Sequence, residues 1–227
     1  MAEKIKIDII IPSYNSKKYL AEAVDSCKAQ THRPERIIIV DDGSTDGSDA
    51  FARSLAGVEV FRQTNSGAGV ARNHGISQSS AECVFLLDAD DIIEPFALEA
   101  LAGALAAEPD AFAVFGQTVD FFSPELTEEE RKTRRLQDKP SFGRLPGCSL
   151  LRKEVFGPGL VGLFNPAFKH GEVVDWHSRF RDAGLKYVNV EKVIHRRRIH
   201  LSNAGIVSKE TQFANYARIL RQRLGKK

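Results

Sequence analysis

Residues 84–91 read Val84-Phe85-Leu86-Leu87-Asp88-Ala89-Asp90-Asp91, and this stretch decides the fold class. Its first four residues form a continuous apolar run, which suits a strand covered on both faces in a parallel sheet. Three carboxylates follow at once, so the run ends where the chain reaches the rim of that sheet. Working outward, the same grammar recurs upstream. Strands are expected over 5–11, 37–40 and 58–62, the first closed by Pro12 and the second by Asp41 and Asp42. Helical patterns over 18–30, 47–55 and 68–79 alternate with them. Downstream lie a helix over 94–107, between Pro95 and Pro109, and a strand over 111–115. This alternation predicts an α/β fold, a Rossmann-type three-layer sandwich with a mostly parallel central sheet.

The pattern changes after Phe122. Residues 123–140 carry five acidic and five basic side chains with few large apolar ones, which reads as a solvated helix or a mobile flap. Glycines and prolines thicken from 142; then a helix over 172–183, ended by Gly184, and a strand over 187–190 are expected. The chain is therefore read as one domain over 1–227, its first half 1–122 binding the ligand and its second half 123–227 attached to it. Residues 218–227 hold five basic side chains and no acid, a pattern that fits either a solvated C-terminal helix or a weak lipid contact.

Composition narrows the function classes. With 42% hydrophobic residues in 227, there is material for one sizeable core and no case for disorder. The charge balance of 32 Lys+Arg against 30 Asp+Glu is too even for a nucleic-acid binder. Cys27, Cys83 and Cys148 form no CxxC pair, so reduced thiols and a cytoplasmic setting are expected instead of disulfides or zinc. No apolar run approaches the roughly 18 residues of a membrane span, and the opening residues do not have the pattern of a signal peptide. At most a peripheral membrane contact is expected. A P-loop GxxxxGK[ST] and a zinc-binding HExxH are both missing from the sequence.

Carboxylates gathered at the carboxyl edge of an open sheet stand where ligands bind, and like charges there call for a cation. Asp88, Asp90 and Asp91 are hard oxygen donors suited to Mg²⁺ or Mn²⁺ shared with phosphates. On this stretch alone a second reading stays open, in which Asp91 caps the following helix.

Four segments taken in order carry a resemblance. They are Pro12-Ser13-Tyr14-Asn15, Asp41-Asp42-Gly43-Ser44, Asn65-Ser66-Gly67-Ala68-Gly69-Val70-Ala71-Arg72-Asn73 with Gly75-Ile76, and the Asp88-Ala89-Asp90-Asp91 run. Together they resemble the inverting glycosyltransferases of family 2, which have the GT-A fold, over residues 5 to about 100. The resemblance implies a nucleoside diphosphate sugar donor, UDP by default, a divalent metal (Mn²⁺ or Mg²⁺), and a saccharide or lipid-linked acceptor in polysaccharide or glycolipid synthesis. It also implies that Pro12 and Tyr14 line the base and ribose, that Asp42 with Asp41 behind it bonds the base, and that Arg72 faces the nucleotide. Asp88, with Ala89 beside it, takes the ribose, and Asp90 holds the metal.

The second half is similar to the acceptor side of that family but departs from it. Asn165 stands where Asp is usual. Family members commonly carry Glu-Asp where this chain has Glu172-Val173, and the missing Asp is the usual general base. At i and i+3 of a helix, Glu172 and Asp175 share a face and are the remaining candidates, Asp175 ranked ahead. Both also fit as ordinary acids at a helix N-terminus. Trp176 offers a stacking face for an acceptor sugar, or packs in the core. Arg196-Arg197-Arg198-Ile199-His200-Leu201-Ser202-Asn203 is similar to the family's R-x-H-x-x-S/N segment. His200 would then reach the metal or diphosphate, in competition with His195, and the arginines would neutralise phosphate or anchor a lid.

Two other readings compete with transfer. One is a nucleotide-binding relative without turnover, and the other a nucleotidyltransferase, whose glycine- and lysine-rich first loop is replaced here by residues 12–15. A dinucleotide fingerprint is excluded because Arg72 occupies the position of its third glycine.

Overall fold

The computed structural model describes residues 4–143 and 146–203. In chain order the elements are β1 (Ile7–Ser13), α1 (Leu20–Lys28), β2 (Arg36–Asp41), α2 (Ser48–Ser54), β3 (Glu59–Arg62), α3 (Ala68–Gln78), β4 (Cys83–Leu86) and β5 (Ile92–Ile93). They continue with α4 (Ala97–Ala107), β6 (Ala113–Phe122), α5 (Glu128–Lys132), β7 (Ser141–Phe142), β8 (Ser149–Arg152), a 3₁₀ turn over Lys153–Phe156, α6 (Glu172–Asp182) and β9 (Tyr187–Ile199).

The strands form one sheet in the order β3-β2-β1-β4-β8-β6-β9-β5, with β7 paired to β6. β3, β2, β1 and β4 run parallel. β8 is antiparallel to both β4 and β6, so β6 points the same way as β4, and β9 runs parallel to β6. Only the short β5, β7 and β8 oppose the common direction, which keeps the sheet mostly parallel.

Alternation along each strand builds three layers. Ile7, Ile9 and Ile11 face α1, α2 and α4 through Leu20, Val24, Ala52, Leu98, Leu101 and Leu105. Ile10, Ile38, Val40, Val84 and Leu86 face α3 and α6 through Ala71, Ile76, Trp176 and Phe180. α3 lies especially close to the sheet, because a Cβ on Gly75 would collide with Ile10 Cγ2. That close approach brings Arg72, one turn earlier on α3, down to the carboxyl edge.

Several expectations are corrected. β1 runs through Pro12 to Ser13. Leu87 N donates to Ile10 O on the β4 side and Asp42 N donates to Ser13 O on the β2 side. By alternation the imide nitrogen of Pro12 faces the β4 side beyond that strand's end, where no N–H is required. α4 starts at Ala97 because residues 92–93 are drawn into β5 by pairing with His195 and Arg196. β9 extends to Ile199, so the arginine run lies inside the last strand, paired with Val119–Phe122 of β6. β8, hidden in a glycine-rich stretch, was not anticipated.

Within residues 123–140 the solvated helix is realised as the short α5, with Thr127 and Glu130 forming a capping box. The segment is tied down: Leu126 is buried, Asp120 and Gln137 exchange backbone and side-chain hydrogen bonds, and Glu125 accepts from Lys18, Tyr19 and Ser123. The three cysteines are buried and not joined in disulfides. Burial pushes the Cys27 and Cys83 thiols up to about 12, which leaves them unreactive at neutral pH. No helix among the described residues is long and apolar enough to cross a membrane. The basic run over 218–227 and Leu145 lie outside the described residues.

Candidate functional site

The carboxyl ends of β1, β2 and β4, the N-termini of α3 and α6, and the end of β9 meet at one edge of the sheet. At the end of β1 the Tyr14 ring is 51% exposed, and Asn15 takes a positive φ of 50° that turns the chain away from the sheet. Beneath them, Ser13 Oγ and Asp41 Oδ1 are buried side-chain atoms without hydrogen-bond partners among the described residues. The other Asp41 oxygen accepts from Ser44 N at 3.1 Å and faces Arg62 at 3.6 Å.

Asp42 also has a structural task. Its Oδ1 accepts from Gln63 Nε2 (2.8 Å) and Ser66 N (2.9 Å), and its Oδ2 from Gly67 N (2.8 Å). Three donors thus commit this buried carboxylate to holding the loop that leads into α3. Gly43 packs under the same loop. It has φ +76°, and a Cβ there would stand 2.9 Å from Asn65 N. The Asp-Asp-Gly motif therefore aims the N-terminus of α3 at the site.

Arg72 is the hub of the edge. Its Nη1 donates to Glu172 Oε1 and its Nη2 to Asp88 Oδ1, both at 2.7 Å, and its guanidinium lies 5.7 Å from the Phe164 ring centroid. Gly69 leaves room for this arrangement, since a Cβ there would come within 3.0 Å of Glu172 Cγ. Burial works against the Arg72 charge, yet Asp88 and Glu172 outweigh it and raise its pKa above the usual arginine value. Asp88 is 38% exposed and Glu172 nearly buried, so this chain of charges runs from solvent into the protein.

Two sequence-derived roles change here. Trp176 is 2% exposed, packs among Phe156, Phe164 and Phe180, and donates Nε1–H to Gly162 O at 2.8 Å. It is a core residue and presents no stacking face to an acceptor. Asp175 pairs with Arg179 at 2.9 Å, and Arg179 in turn donates to the carbonyls of Val161 and Leu163. Asp175 thus secures a loop, whereas Glu172 touches the Arg72–Asp88 pair. This reverses the ranking of the two candidate bases. Asn73, quoted only as part of a motif, pins the neighbouring segment by exchanging two hydrogen bonds with the Phe164 backbone (2.8 and 2.9 Å).

At the other side of the edge, Asp90 Oδ2 lies 2.8 Å from His200 Nε2. His200 Nδ1 contacts Ser202 Oγ at 2.9 Å, which orients the ring. Asn203 Nδ2 reaches Asp90 Oδ2 at 3.5 Å. His195 is engaged elsewhere, with Thr118 Oγ1 at 2.8 Å and Asp91 at 3.0 Å. Asp91 does not cap a helix. It is buried and also accepts from Arg198 N, and burial pushes its carboxyl up to about 6 against the opposing pull of His195.

The arginines of the last strand are likewise committed, Arg196 to Glu94, Arg197 to Asp120 and Arg198 to Glu22. The expected phosphate neutralisation therefore has no free guanidinium among them. As for a metal, no cluster of three or more His, Cys, Asp or Glu occurs among the described residues. Asp90 and His200 nevertheless offer an oxygen and a nitrogen donor in one place. That donor set fits an ion completing its shell with phosphate oxygens and water.

The fold agrees with the comparisons. Glycosyl transferase family 2 matches residues 8–158, which include Tyr14, Asp42, Arg72 and Asp90. The chain belongs to glycosyl transferase family 2. It is 35% identical to glycosyltransferase GlyG of Streptococcus pneumoniae over 66% of this chain and 58% of that protein. It is also 32% identical to a cholesterol galactosyltransferase of Borreliella burgdorferi over 48% of this chain and 31% of that protein. Residues 1–349 of S. aureus TarS, crystallised with UDP-GlcNAc, superpose with a TM-score of 0.72 at 21% identity, covering 95% of this chain and 65% of that one. The chain thus spans less than two thirds of these proteins' lengths. Family membership leaves the nucleotidyltransferase reading without support, and the GT-A-like α/β architecture is the one expected.

Proposed function

We propose that this family 2 chain transfers a sugar from a nucleoside diphosphate sugar, UDP by default, to an acceptor hydroxyl with inversion, assisted by Mn²⁺ or Mg²⁺. The observation that carries the reading is the Asp90–His200 pair standing at the same sheet edge as the Glu172–Arg72–Asp88 chain. Support for the donor comes from TarS, whose structures contain UDP and UDP-GlcNAc. For the acceptor the reading is a saccharide or lipid-linked molecule, met in the cytoplasm or at the membrane's inner face; the relative named a cholesterol galactosyltransferase lends support to a lipid.

In this reading the open Tyr14 ring stacks against the base, and Pro12 shapes the floor beside it. The unpartnered Ser13 Oγ and Asp41 Oδ1 beneath are polar groups that a bound base can satisfy. Asp88, oriented by Arg72 through one oxygen, presents its other oxygen to the ribose hydroxyls, with Ala89 small enough to let the sugar approach. A divalent ion on Asp90 and His200 would offset the negative charge that develops on the departing diphosphate.

Inversion in one displacement needs a base opposite that leaving group. Glu172 is the better placed carboxylate. Arg72 donates to its Oε1 and fixes the direction of the carboxylate. Val173, partly buried against the core, cannot serve.

The test begins with calorimetric titration of UDP, GDP and dTDP, with and without Mn²⁺, on the wild-type chain and on Asp90→Ala. Mn²⁺-dependent binding of one nucleotide, lost in Asp90→Ala, supports the donor and metal assignments; binding of none refutes them. Glu172→Gln should then abolish transfer from the matching sugar nucleotide while nucleotide affinity stays within about threefold. Equal activity in Glu172→Gln, with Asp175→Asn inactive, would return the base role to Asp175. Tight nucleotide binding without any transfer by the wild type, across saccharide and lipid acceptors, would favour a binding role over turnover.

A further inference from the structure

The metal-side half of the edge depends on a residue that touches no ligand. Arg198 is buried, and it reaches both Asp90 and the turn that carries His200. Its Nε donates to the main-chain oxygen of Asp90 at 2.8 Å, and its backbone N donates to Asp91 Oδ1 at 2.8 Å, so it holds the Asp90-Asp91 loop at two points. Its carbonyl accepts from Asn203 Nδ2 at 3.0 Å, and Asn203 Oδ1 accepts from His200 N at 2.7 Å, which closes the His200 turn. The guanidinium lies between the rings of Tyr19 (5.1 Å) and Phe121 (4.6 Å). The Tyr19 ring also packs on the His200 imidazole, with centroids 4.6 Å apart. At its far end Nη2 pairs with Glu22 on α1, whose side chain is largely exposed.

We infer that Arg198 is a positioning residue that sets the separation of Asp90 and His200 and so tunes divalent-metal affinity in the nucleotide complex. This rests on the metal reading given above. The argument is one of geometry. Asp90 sits two residues before β5 and His200 follows the end of β9; the β5–β9 ladder ends at the Ile92–Arg196 pair, so it stops short of both. Arg198 bonds the backbone of the first and flanks the second through Asn203 and Tyr19.

A lysine cannot repeat the arrangement. One ammonium at the end of a flexible stem does not donate to Asp90 O and pair with Glu22 in a fixed plane while stacked between two rings. The exposed Glu22 serves as the outer anchor, and its loss should have a smaller effect of the same sign.

The experiment measures Mn²⁺ binding by electron paramagnetic resonance, following the loss of the free aqueous ion's signal, in saturating UDP. The wild type, Arg198→Lys, Arg198→Met and Glu22→Gln are compared, with thermal midpoints recorded for each and UDP affinity also measured without metal. For Arg198→Lys and Arg198→Met we expect Mn²⁺ affinity to fall by about tenfold, the scale of one charge-assisted hydrogen bond. Metal-free UDP affinity should stay within about twofold. Glu22→Gln should lose about threefold in Mn²⁺ affinity and nothing in metal-free UDP affinity.

A role in packing alone would lower both affinities together or neither, and a role as a bare charge would be rescued by lysine. Wild-type-like Mn²⁺ affinity in Arg198→Lys overturns the inference while leaving the metal reading intact. If the wild type itself binds UDP without regard to Mn²⁺, the metal reading fails and the inference fails with it. Should Arg198→Met not fold, Arg198→Lys and Glu22→Gln decide the question by the same criteria.

Discussion

Replacing Arg72 by methionine tests whether the edge is built around one buried cation. Methionine keeps the apolar reach toward Phe164 but removes both ion pairs, each 2.7 Å long. The two carboxylates left behind differ in their access to water. Asp88 is 38% exposed on its side chain and can rotate into solvent, so its loss is small, but Glu172 is 10% exposed and keeps a charge with no partner. Breaking a buried pair by deleting one partner costs about 3–5 kcal/mol. Counting Glu172 in full and discounting Asp88 for solvent, we expect about 3 kcal/mol. The double variant Arg72→Met/Glu172→Gln carries no stranded charge and should recover about 1–2 kcal/mol of that. Urea unfolding at neutral pH, followed by the fluorescence of the single buried Trp176, measures both, provided the slope m is unchanged. A single variant that loses less than about 1 kcal/mol, or a double variant less stable than the single one, would refute the reasoning.

Gly75→Ala sets two effects against each other. Helix propensity favours alanine by about 1 kcal/mol, but the new Cβ strikes Ile10 Cγ2 and overpacking costs about 1–3 kcal/mol, so a net loss is expected, with weaker nucleotide binding as α3 lifts. A raised melting temperature would contradict this. Trp176→Ala should lose about 3–5 kcal/mol of stability. Trp176→Phe should leave the acceptor KM unchanged, whereas a stable Trp176→Phe enzyme with a raised acceptor KM would restore the stacking role. Asp91 binds its proton more tightly folded than unfolded. Its stabilising contribution is therefore present below its ordinary value of 3.8 and lost as pH rises through about 6. The stability difference between wild type and Asp91→Asn should shift by about 1–3 kcal/mol across that window, and a flat difference in urea midpoints would count against it.

The first half of the fold was legible because β1, β2 and β4 are short, mostly apolar runs, β2 and β4 leading into carboxylates, with helical patterns set between them. The second half was not, and for identifiable reasons. β8 is only Ser149–Arg152, set among glycines and prolines, and acquires its place by filling the gap between β4 and β6 rather than from its own pattern. β9 extends through Arg196, Arg197 and Arg198, residues that look like a solvated run in one dimension. They become strand residues by pairing with Val119–Phe121 of β6, and Glu94, Asp120 and Glu22 arrive from three other segments to balance their charge. Long-range charge pairing leaves no local period for a sequence to show.

The same distinction governs the site. Which residues gather at the edge could be read in the linear order, since strand ends of a parallel sheet converge whatever the loops do, and Tyr14, Asp41, Asp42, Arg72, Asp88, Asp90 and His200 are all found there. What each of them holds depends on partners far along the chain. Asp42 looks like a base-binding residue alone until Gln63, Ser66 and Gly67 are seen to donate to its oxygens. Glu172 and Asp175 look equivalent at i and i+3 until Arg72 comes to one, 100 residues away, and Arg179 to the other. A carboxylate's role is thus set by which cation reaches it first. Substitutions that leave the carboxylates intact but change those cations, at Arg72 or Arg179, should alter the chemistry of this edge as much as changes to the carboxylates themselves.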